Sequence, residues 1–408
     1  MRHRVFGPLL LLLAVLASAD LAAASAPTVI MLSLDGVRAD YPDRTDLPGF
    51  SRLEREGARA EGLVPPFPPI TFPSHVTLAT GASVDRHGIV ANDFRDPDRG
   101  RFHYVNDATW QKAEPIWVAA ERQGVPSAIF FWVGSEGPWH GTSAGLYEHP
   151  FDSEVPDARK VDRILEWLDL SPPRRPRLIV SWWHGADAPG HRFGPDSPAV
   201  VAAMVVQDAQ LVRLLAGLDA RGLWDETTLV VVSDHGMAAV TQSVSLEAAL
   251  GAKGIDAEVL ASGGIASIHL ADLARRDEAR EVIAAIPGVE LFAPDALPAQ
   301  WRYGPAERLG DLVAVTAPPR AFREKTRDRV ITSAGRRTGA HGYDASRADM
   351  RGIFFAMGRG VAPATKLGAV SSLDVAPTVA RLLGIEPPRD AEGRAIEALA
   401  PPAADVRP

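Results

Sequence analysis

The sequence predicts an α/β fold: a mostly parallel central sheet with helices on both faces, plus a small inserted α+β subdomain. Three observations predict it. Short apolar runs alternate with amphipathic helical patterns, the rhythm of a sheet built from βαβ units. The runs are apolar almost without interruption, as in Thr228-Leu-Val-Val-Val, so the strands are expected to be buried on both faces. Each run ends in an acid, an imidazole or a Gly-rich turn, and in open α/β sheets ligands bind at that carboxyl edge of the strands.

Taken in order, strands are expected at Thr28–Leu34, Ser127–Trp132, Leu178–Trp182, Leu229–Ser233 and Gly352–Met357, each rich in β-branched or aromatic residues. Helices are expected at Leu47–Glu56, Glu114–Gln123, Asp157–Leu168, Ser197–Leu218 and Leu373–Leu383. From residue 244 to 336 the rhythm changes. A strand at Ile265–Leu270, a charged helix at Arg275–Ala285 and strands at Val289–Phe292 and Asp311–Thr316 suggest an inserted α+β subdomain. The catalytic core is then 27–243 plus 337–390, and the Pro- and Ala-rich end, 391–408, reads as a flexible tail.

The 408 residues suffice for a large core, and 46% apolar with 23% charged residues is ordinary globular composition. A net charge of −8 argues against a dedicated binder of nucleic-acid duplex, although a bound metal lets an acidic protein hold an anion. Residues 1–26 read as a signal peptide. Arg2 and Arg4 precede the apolar run Leu9–Leu16, followed by Ala17-Ser18-Ala19, where cleavage after Ala19 is expected, and by Ala24-Ser25-Ala26. The run is shorter than the ~20 residues of a membrane span. A periplasmic or secreted protein without stable membrane insertion is therefore expected. Cysteine is absent, so thiolate metal sites and a lipidated N-terminal cysteine are excluded.

Five segments carry chemistry. The run from Val29 delivers Asp35 and Gly36 at its carboxyl end. In Thr71-Phe72-Pro73-Ser74-His75, Pro73 suits the first turn of a helix to Thr80 closed by Gly81, which sets Thr71 just before a helix N-terminus that favours an anion. A threonine there is commonly only an N-cap; a metal beside it would make it a nucleophile. Asp187 and His191 have one-face helical spacing, yet Pro189 and Gly190 argue for a loop. The run to Ser233 ends in Asp234-His235-Gly236, and adjacent residues on a strand point apart, against a Ser-His-Asp triad. His341 lies in a Gly-rich turn. Carboxylates with imidazoles suit zinc or manganese. The other histidines lack a partner ligand in the sequence, with His184 the nearest to Asp187.

Together these segments resemble the nucleotide pyrophosphatase/phosphodiesterase family of the alkaline phosphatase superfamily, in a secreted bacterial form. The resemblance runs from Val29 to about Pro388. It rests on Asp35-Gly36, Thr71-Phe72-Pro73 before His75, His87-Gly88-Ile89 with Asn92, Phe131-Trp132 before Gly134-Ser135-Glu136, Asp187 to His191, Asp234 to Met237, and His341-Gly342-Tyr343-Asp344. It implies an alkaline-phosphatase-like fold and two Zn2+ per chain. One zinc would be held by Asp187, His191 and His341, the other by Asp35, Asp234, His235 and Thr71. Thr71 would be the nucleophile, attacking phosphorus in the first of two in-line displacements through a phospho-threonine. Asn92 would donate to the phosphoryl oxygen, and Phe72, Trp132, Tyr147 and Trp182 are candidates to contact a nucleobase.

The expected substrate is a small phosphodiester or nucleotide. Two departures, Ser74 after Thr-Phe-Pro and Val133 after Phe-Trp, touch the pocket rather than the ligands. A phosphomonoesterase or a phosphonoacetate-type hydrolase on the same two-metal site is an alternative, with Arg38 and Arg86 as the nearest cations for a doubly charged phosphate. A non-catalytic periplasmic nucleotide or metal binder is an alternative of another class. The oligomeric state is not encoded in any feature of the sequence.

Overall fold

The protein is described by a computed structural model covering residues 26–323 and 329–399. The signal peptide expected at 1–26 lies, but for its last residue, outside the described residues. The strands are β1 Thr28–Leu34, β2 Gly57–Val64, β3 Asp93–Asp96, β4 Gly100–His103, β5 Ser127–Phe130, β6 Leu146–Glu148, β7 Leu178–Trp183, β8 Thr227–Val232 and β9 Ala238–Val244. They continue with β10 Ala257–Ser262, β11 Ile265–Leu270, β12 Val289–Phe292, β13 Leu312–Thr316, β14 Arg320–Phe322, β15 Ile331–Ala340, β16 Phe354–Gly358 and β17 Thr365–Ser371. The helices are α1 Pro48–Glu56, α2 Thr71–Thr80, α3 Val84–His87, α4 Ile116–Arg122 and α5 Asp157–Leu168, then α6 Asp187–Phe193, α7 Pro198–Arg221, α8 Leu246–Gly251, α9 Arg276–Ala284 and α10 Val375–Leu383.

Eight strands form the main sheet in the order β17-β2-β16-β8-β1-β7-β5-β6. All pair in parallel except β16, which runs antiparallel to both β2 and β8. β1 sits at the centre and is buried along its whole length. Its alternation feeds two apolar layers: Val29 and Met31 join the one packed by α4 and α10, and Ile30, Leu32 and Leu34 join the one packed by α1, α5 and α7. Each such side chain, fully buried, contributes roughly 1.5–3 kcal/mol.

Register does the rest. Leu34 of β1 lies opposite Trp183 of β7, and Ser33 lies opposite Val232 of β8. The three central strands therefore end at one level, and the residues just beyond them share one edge. A separate antiparallel sheet, β10-β11-β13-β12, and a three-stranded sheet, β14-β9-β15, lie in the segment that precedes His341.

Several expectations need correction. The strand from Ser127 stops at Phe130, because Phe131 turns the chain with a φ of 52°. Pro189 and Gly190 do not make a loop; they lie inside α6. Pro189 is its third residue, where no intrahelical N–H is needed, so the ring costs nothing. Nor does Thr71 precede its helix: it is the first residue of α2, Ile70 occupies the cap position, and no side chain caps the end. The flexible tail expected over 391–408 is corrected for its first part. Glu392 accepts hydrogen bonds from the Ser83 N–H and hydroxyl and from Arg302, and Leu399 is fully buried. Residues 400–408 lie outside the described residues.

The tightest backbone approach is at Gly185, whose φ is 59° and where a Cβ would stand 2.0 Å from the Asp35 carbonyl oxygen. Gly185→Ala combines left-handed strain with that overlap. It is expected to cost at least about 1–3 kcal/mol, read as a lowered thermal midpoint, and to reduce metal retention by displacing Asp35.

Candidate metal centre and pocket

The loop after β1 and the loop after β7 are laced together. The Asp35 N–H donates to the Trp183 carbonyl, and the Ala186 and Asp187 N–H groups donate to the Asp35 carbonyl at 2.8 and 3.1 Å. Gly36 admits the contact, since a Cβ there would meet Asp187 at 2.7 Å. Across the edge, the Gly36 N–H donates to Asp234 Oδ1 at 3.0 Å, and the Trp182 indole donates to Asp35 Oδ2 at 2.9 Å. Each carboxylate is thus held by one oxygen. The other oxygen, Oδ1 of Asp35 and Oδ2 of Asp234, is buried and accepts no hydrogen bond, as is Oδ1 of Asp187.

The imidazoles repeat this logic. The Nδ1 atoms of His191, His235 and His341 lie 3.0, 2.9 and 2.9 Å from the carbonyls of Gly339, Gly236 and Pro69. A carbonyl only accepts, so each Nδ1 carries the hydrogen and each neutral ring turns an Nε2 lone pair into the site. His191 Nε2 is 3.3 Å from Asp187 Oδ1 and 3.1 Å from His341 Nε2, which lies 3.8 Å from the same carboxylate. His235 Nε2 is 3.1 Å from Asp234 Oδ2 and 3.9 Å from Asp35 Oδ1. Facing acceptors repel unless a cation lies between them. The donor set of carboxylate oxygens and imidazole nitrogens, all but the Asp187 carboxylate oriented from behind by a second hydrogen bond, fits a pair of divalent metals.

The two clusters touch: His235 and His341 stack with ring centroids 3.7 Å apart, and His235 is within ligand range both of Asp35 and Asp234 and of Asp187 and His341. The hydroxyl of Thr71 lies 3.4 Å from His235 Nε2. In the first turn of α2 the Phe72 N–H donates to Asn92 Oδ1 at 2.9 Å and Pro73 has no N–H, so the backbone offers an anion less than expected. The same bond orients Asn92, turning its NH2 group outward, where it lies 3.4 Å from the Tyr104 hydroxyl.

Burial, then the charges of Asp234 and Asp187, push the Asp35 carboxyl well above its usual range. Burial opposes a proton on His191, but Asp187 more than offsets it and His191 is raised. Burial and then His235 and His191 push His341 well below the usual imidazole value.

A cavity of about 460 Å³ opens beside the ligands, within the range of small-molecule pockets. Thr71, Asn92, Asp35, Asp187, His191 and His341 line it, together with Phe72, Trp132 and Trp182 from the sequence expectation. Tyr147 does not line it. That residue sits on the edge strand β6 and stacks on His149, so its expected place at a nucleobase is corrected. Phe151, packed on Trp182, and Tyr104 are wall aromatics that the sequence reading missed. Both lie in irregular chain, Tyr104 just after β4 and Phe151 between β6 and α5, where apolar periodicity has nothing to register. Arg323 is the wall cation, whereas Arg38 and Arg86 are engaged elsewhere with Asp40 and Asp390.

Other polar groups resolve as structure. His184 contacts Asp157 and the Ser153 carbonyl, away from the ligands. Ser233 donates to the Val37 carbonyl and accepts from the Ile353 N–H, leaving no triad. His75, missed as a site residue, is fully buried between the Ser33 hydroxyl and the Thr71 carbonyl, each 2.8 Å away, and steadies the start of α2.

A mixed α/β sheet with a carboxylate–imidazole centre and a threonine hydroxyl at its carboxyl edge defines a phosphoester hydrolase of the alkaline-phosphatase type. The profile of the type I phosphodiesterase / nucleotide pyrophosphatase family matches residues 29–344, and the chain belongs to that family of hydrolases. An uncharacterized pyrophosphatase/phosphodiesterase of Schizosaccharomyces pombe is 42% identical over 52% of this chain and 45% of its own length. The bis(5'-adenosyl)-triphosphatase enpp4 of Xenopus laevis is 29% identical over 88% of this chain and 78% of its own. Murine ectonucleotide pyrophosphatase/phosphodiesterase 5, as an inactive threonine-to-alanine variant in complex with AMP, superposes with a TM-score of 0.81 at 27% identity, over 88% of this chain and 95% of that one.

Because the surroundings raise the proton affinity of Asp35 and of His191, metal and protons compete for these groups, and metal binding is expected to weaken as pH falls. Zinc titration of the metal-free protein should show a lower affinity at about pH 5.5 than at about pH 7.5, with a heat that depends on the ionisation enthalpy of the buffer.

Proposed function

We propose that the chain is a two-zinc enzyme that cleaves phosphodiester or pyrophosphate bonds of nucleotides through a covalent phospho-threonine at Thr71. One observation carries this reading: the unpartnered carboxylate oxygens and inward-facing Nε2 lone pairs converge beside the Thr71 hydroxyl. Asp187, His191 and His341 would hold one ion, and Asp35, Asp234, His235 and Thr71 the other. When bound, such a pair neutralises the substrate's negative charge and lowers the pKa of a hydroxyl or water beside it.

The steps belong to the chain's own residues. Thr71 loses its hydroxyl proton to solvent, and Oγ1 forms a bond to phosphorus while the bond to the leaving oxygen breaks on the opposite side. Asn92, locked by the Phe72 N–H, donates its NH2 group to a phosphoryl oxygen as charge builds there. Water then bonds to phosphorus from the side the leaving group vacated, and Thr71 departs and recovers a proton. Two inversions give net retention. Phe72, Trp132, Tyr104, Phe151 and Trp182 offer the faces and edges a base or other flat group would pack against.

Two relatives inform the substrate: one named as a triphosphatase of bis(5'-adenosyl) compounds, the other holding AMP. We read the preferred substrates as nucleotides with a pyrophosphate link. Zinc is the metal this reading names, and we read export to the periplasm or exterior from the signal-like residues 1–26, a reading supported by relatives designated ectonucleotide enzymes. The segment 244–336 is read as a subdomain inserted into the catalytic core of 27–243 and 337–390, forming one wall of the pocket through Ala261, Ser262 and Gly263.

Thr71→Ala is expected to abolish hydrolysis of a nitrophenyl phosphodiester while zinc content measured by plasma spectrometry stays near the wild-type value. Turnover persisting in the fully metallated variant would exclude the covalent step. Assays on the matching monoester and on phosphonoacetate separate the alternative hydrolases, and no turnover on any of them would leave a binding protein. Asn92→Ala should lower kcat by about 10²–10³ with a smaller change in KM. Arg323→Ala should raise KM about tenfold for a dinucleoside triphosphate, the size of one charged hydrogen bond, and leave the nitrophenyl ester unchanged.

A further inference from the structure

Lys160 is a buried cation that the proposed chemistry does not use. Its side chain is 0% exposed on α5, and its Nζ lies 2.7 Å from Asp157 Oδ1. Asp157 is already served by the Gln207 amide at 2.9 Å and by His184 Nδ1 at 3.0 Å. A buried ion pair of this kind is seldom worth more than the apolar side chains that could replace it, so stability alone gives little reason for an ammonium here. Its position offers another reason. Nζ stands 4.5 Å from the centroid of the Trp182 ring and 5.8 Å from that of Phe131. The N–H of the same indole donates to Asp35 Oδ2 at 2.9 Å, whereas Asp35 Oδ1 is the oxygen left without a hydrogen bond.

A cation on the face of an indole is held there electrostatically, more strongly when both are dry. It also draws electron density from the ring, which makes the indole N–H a stronger donor. The Lys160 charge therefore reaches Asp35 through Trp182, without a salt bridge that would compete with the metal for the carboxylate. Asp157 keeps Nζ on the ring face, and Phe151 packs against Trp182 from elsewhere with ring centroids 5.3 Å apart.

We propose that Lys160 is a positioning residue for the metal centre, acting through the Trp182 ring to hold Asp35 in the orientation that binds an ion with Asp234 and His235. The inference rests on the two-metal reading of the site. Partners that orient a ligand in this way typically account for 10–100-fold in metal affinity.

The test is zinc titration of the metal-free protein by calorimetry, with thermal melts of each variant beside it. Wild type is expected to bind two ions; binding of none would overturn the two-metal reading itself, and this inference with it. Trp182→Phe keeps the ring under Lys160 but removes the N–H, and should weaken one of the two sites at least about tenfold while sparing the other. Lys160→Met should weaken the same site, and the double variant should be no weaker than Trp182→Phe alone, because the two changes cut one path. A purely structural lysine would instead lower the melting temperature and leave zinc affinity unchanged, or its effect would multiply with that of Trp182→Phe. Either result overturns the proposal, as does unaltered zinc binding in Trp182→Phe. Should Lys160→Met not fold with Asp157 left unpaired, the neutral pair Asp157→Asn/Lys160→Met replaces it with the same expected outcome.

Discussion

Acceptors turned toward acceptors are the constraint on which the rest of this molecule depends. Three carboxylate oxygens and three imidazole nitrogens share a small volume at the cavity floor, and their mutual repulsion would scatter them on any soft framework. They stay because all but the Asp187 carboxylate are tethered from behind, and Asp187 is fixed through its backbone N–H on the Asp35 carbonyl. Every imidazole is tethered by Nδ1 to a backbone carbonyl, and Asp35 and Asp234 are tethered through their second oxygens to the Trp182 indole and the Gly36 N–H. The repulsion is thereby stored as readiness for a cation.

That tethering is possible because of where the strands stop. β1 is flanked in parallel by β7 and β8 at matched register, so the chain leaves the sheet three times at one level. Gly36 and Gly185 then let two of those exits touch backbone to backbone. His341 arrives from a distant part of the chain and is pinned by its ring to the Pro69 carbonyl, in the segment that leads into α2. The candidate ligands and Thr71 are thus fastened to one another as well as to the sheet.

Much of this was legible in the sequence, for a physical reason. Fully buried parallel strands must be apolar throughout, which makes β1, β7 and β8 conspicuous and marks the polar residues at their ends. β2 and β17 escaped notice: Gly-Ala-Arg-Ala-Glu-Gly carries little of the β-branched signal, and β17 is a half-exposed edge. The helix around Asp187 was misread because proline and glycine usually break helices, whereas a proline in the first turn gives up nothing. On the pocket wall, Tyr104 and Phe151 come from irregular chain whose position only the folded structure supplies. Tyr147 was misplaced because likeness of position along the chain does not fix which way an edge strand faces.

The turn joining β10 to β11 has a consequence of its own. Its Gly263 and Gly264 press against the backbone at His341, where Gly264 donates to the His341 carbonyl, while Ala261 and Ser262 face the cavity. The hold on His341 is made by main chain, whereas Ala261 and Ser262 bring side chains to the cavity wall beside Gly263. Sequence drift in that turn can therefore reshape what the pocket admits while the ligand geometry is inherited intact, giving the fold a way to acquire new substrates without reinventing its chemistry.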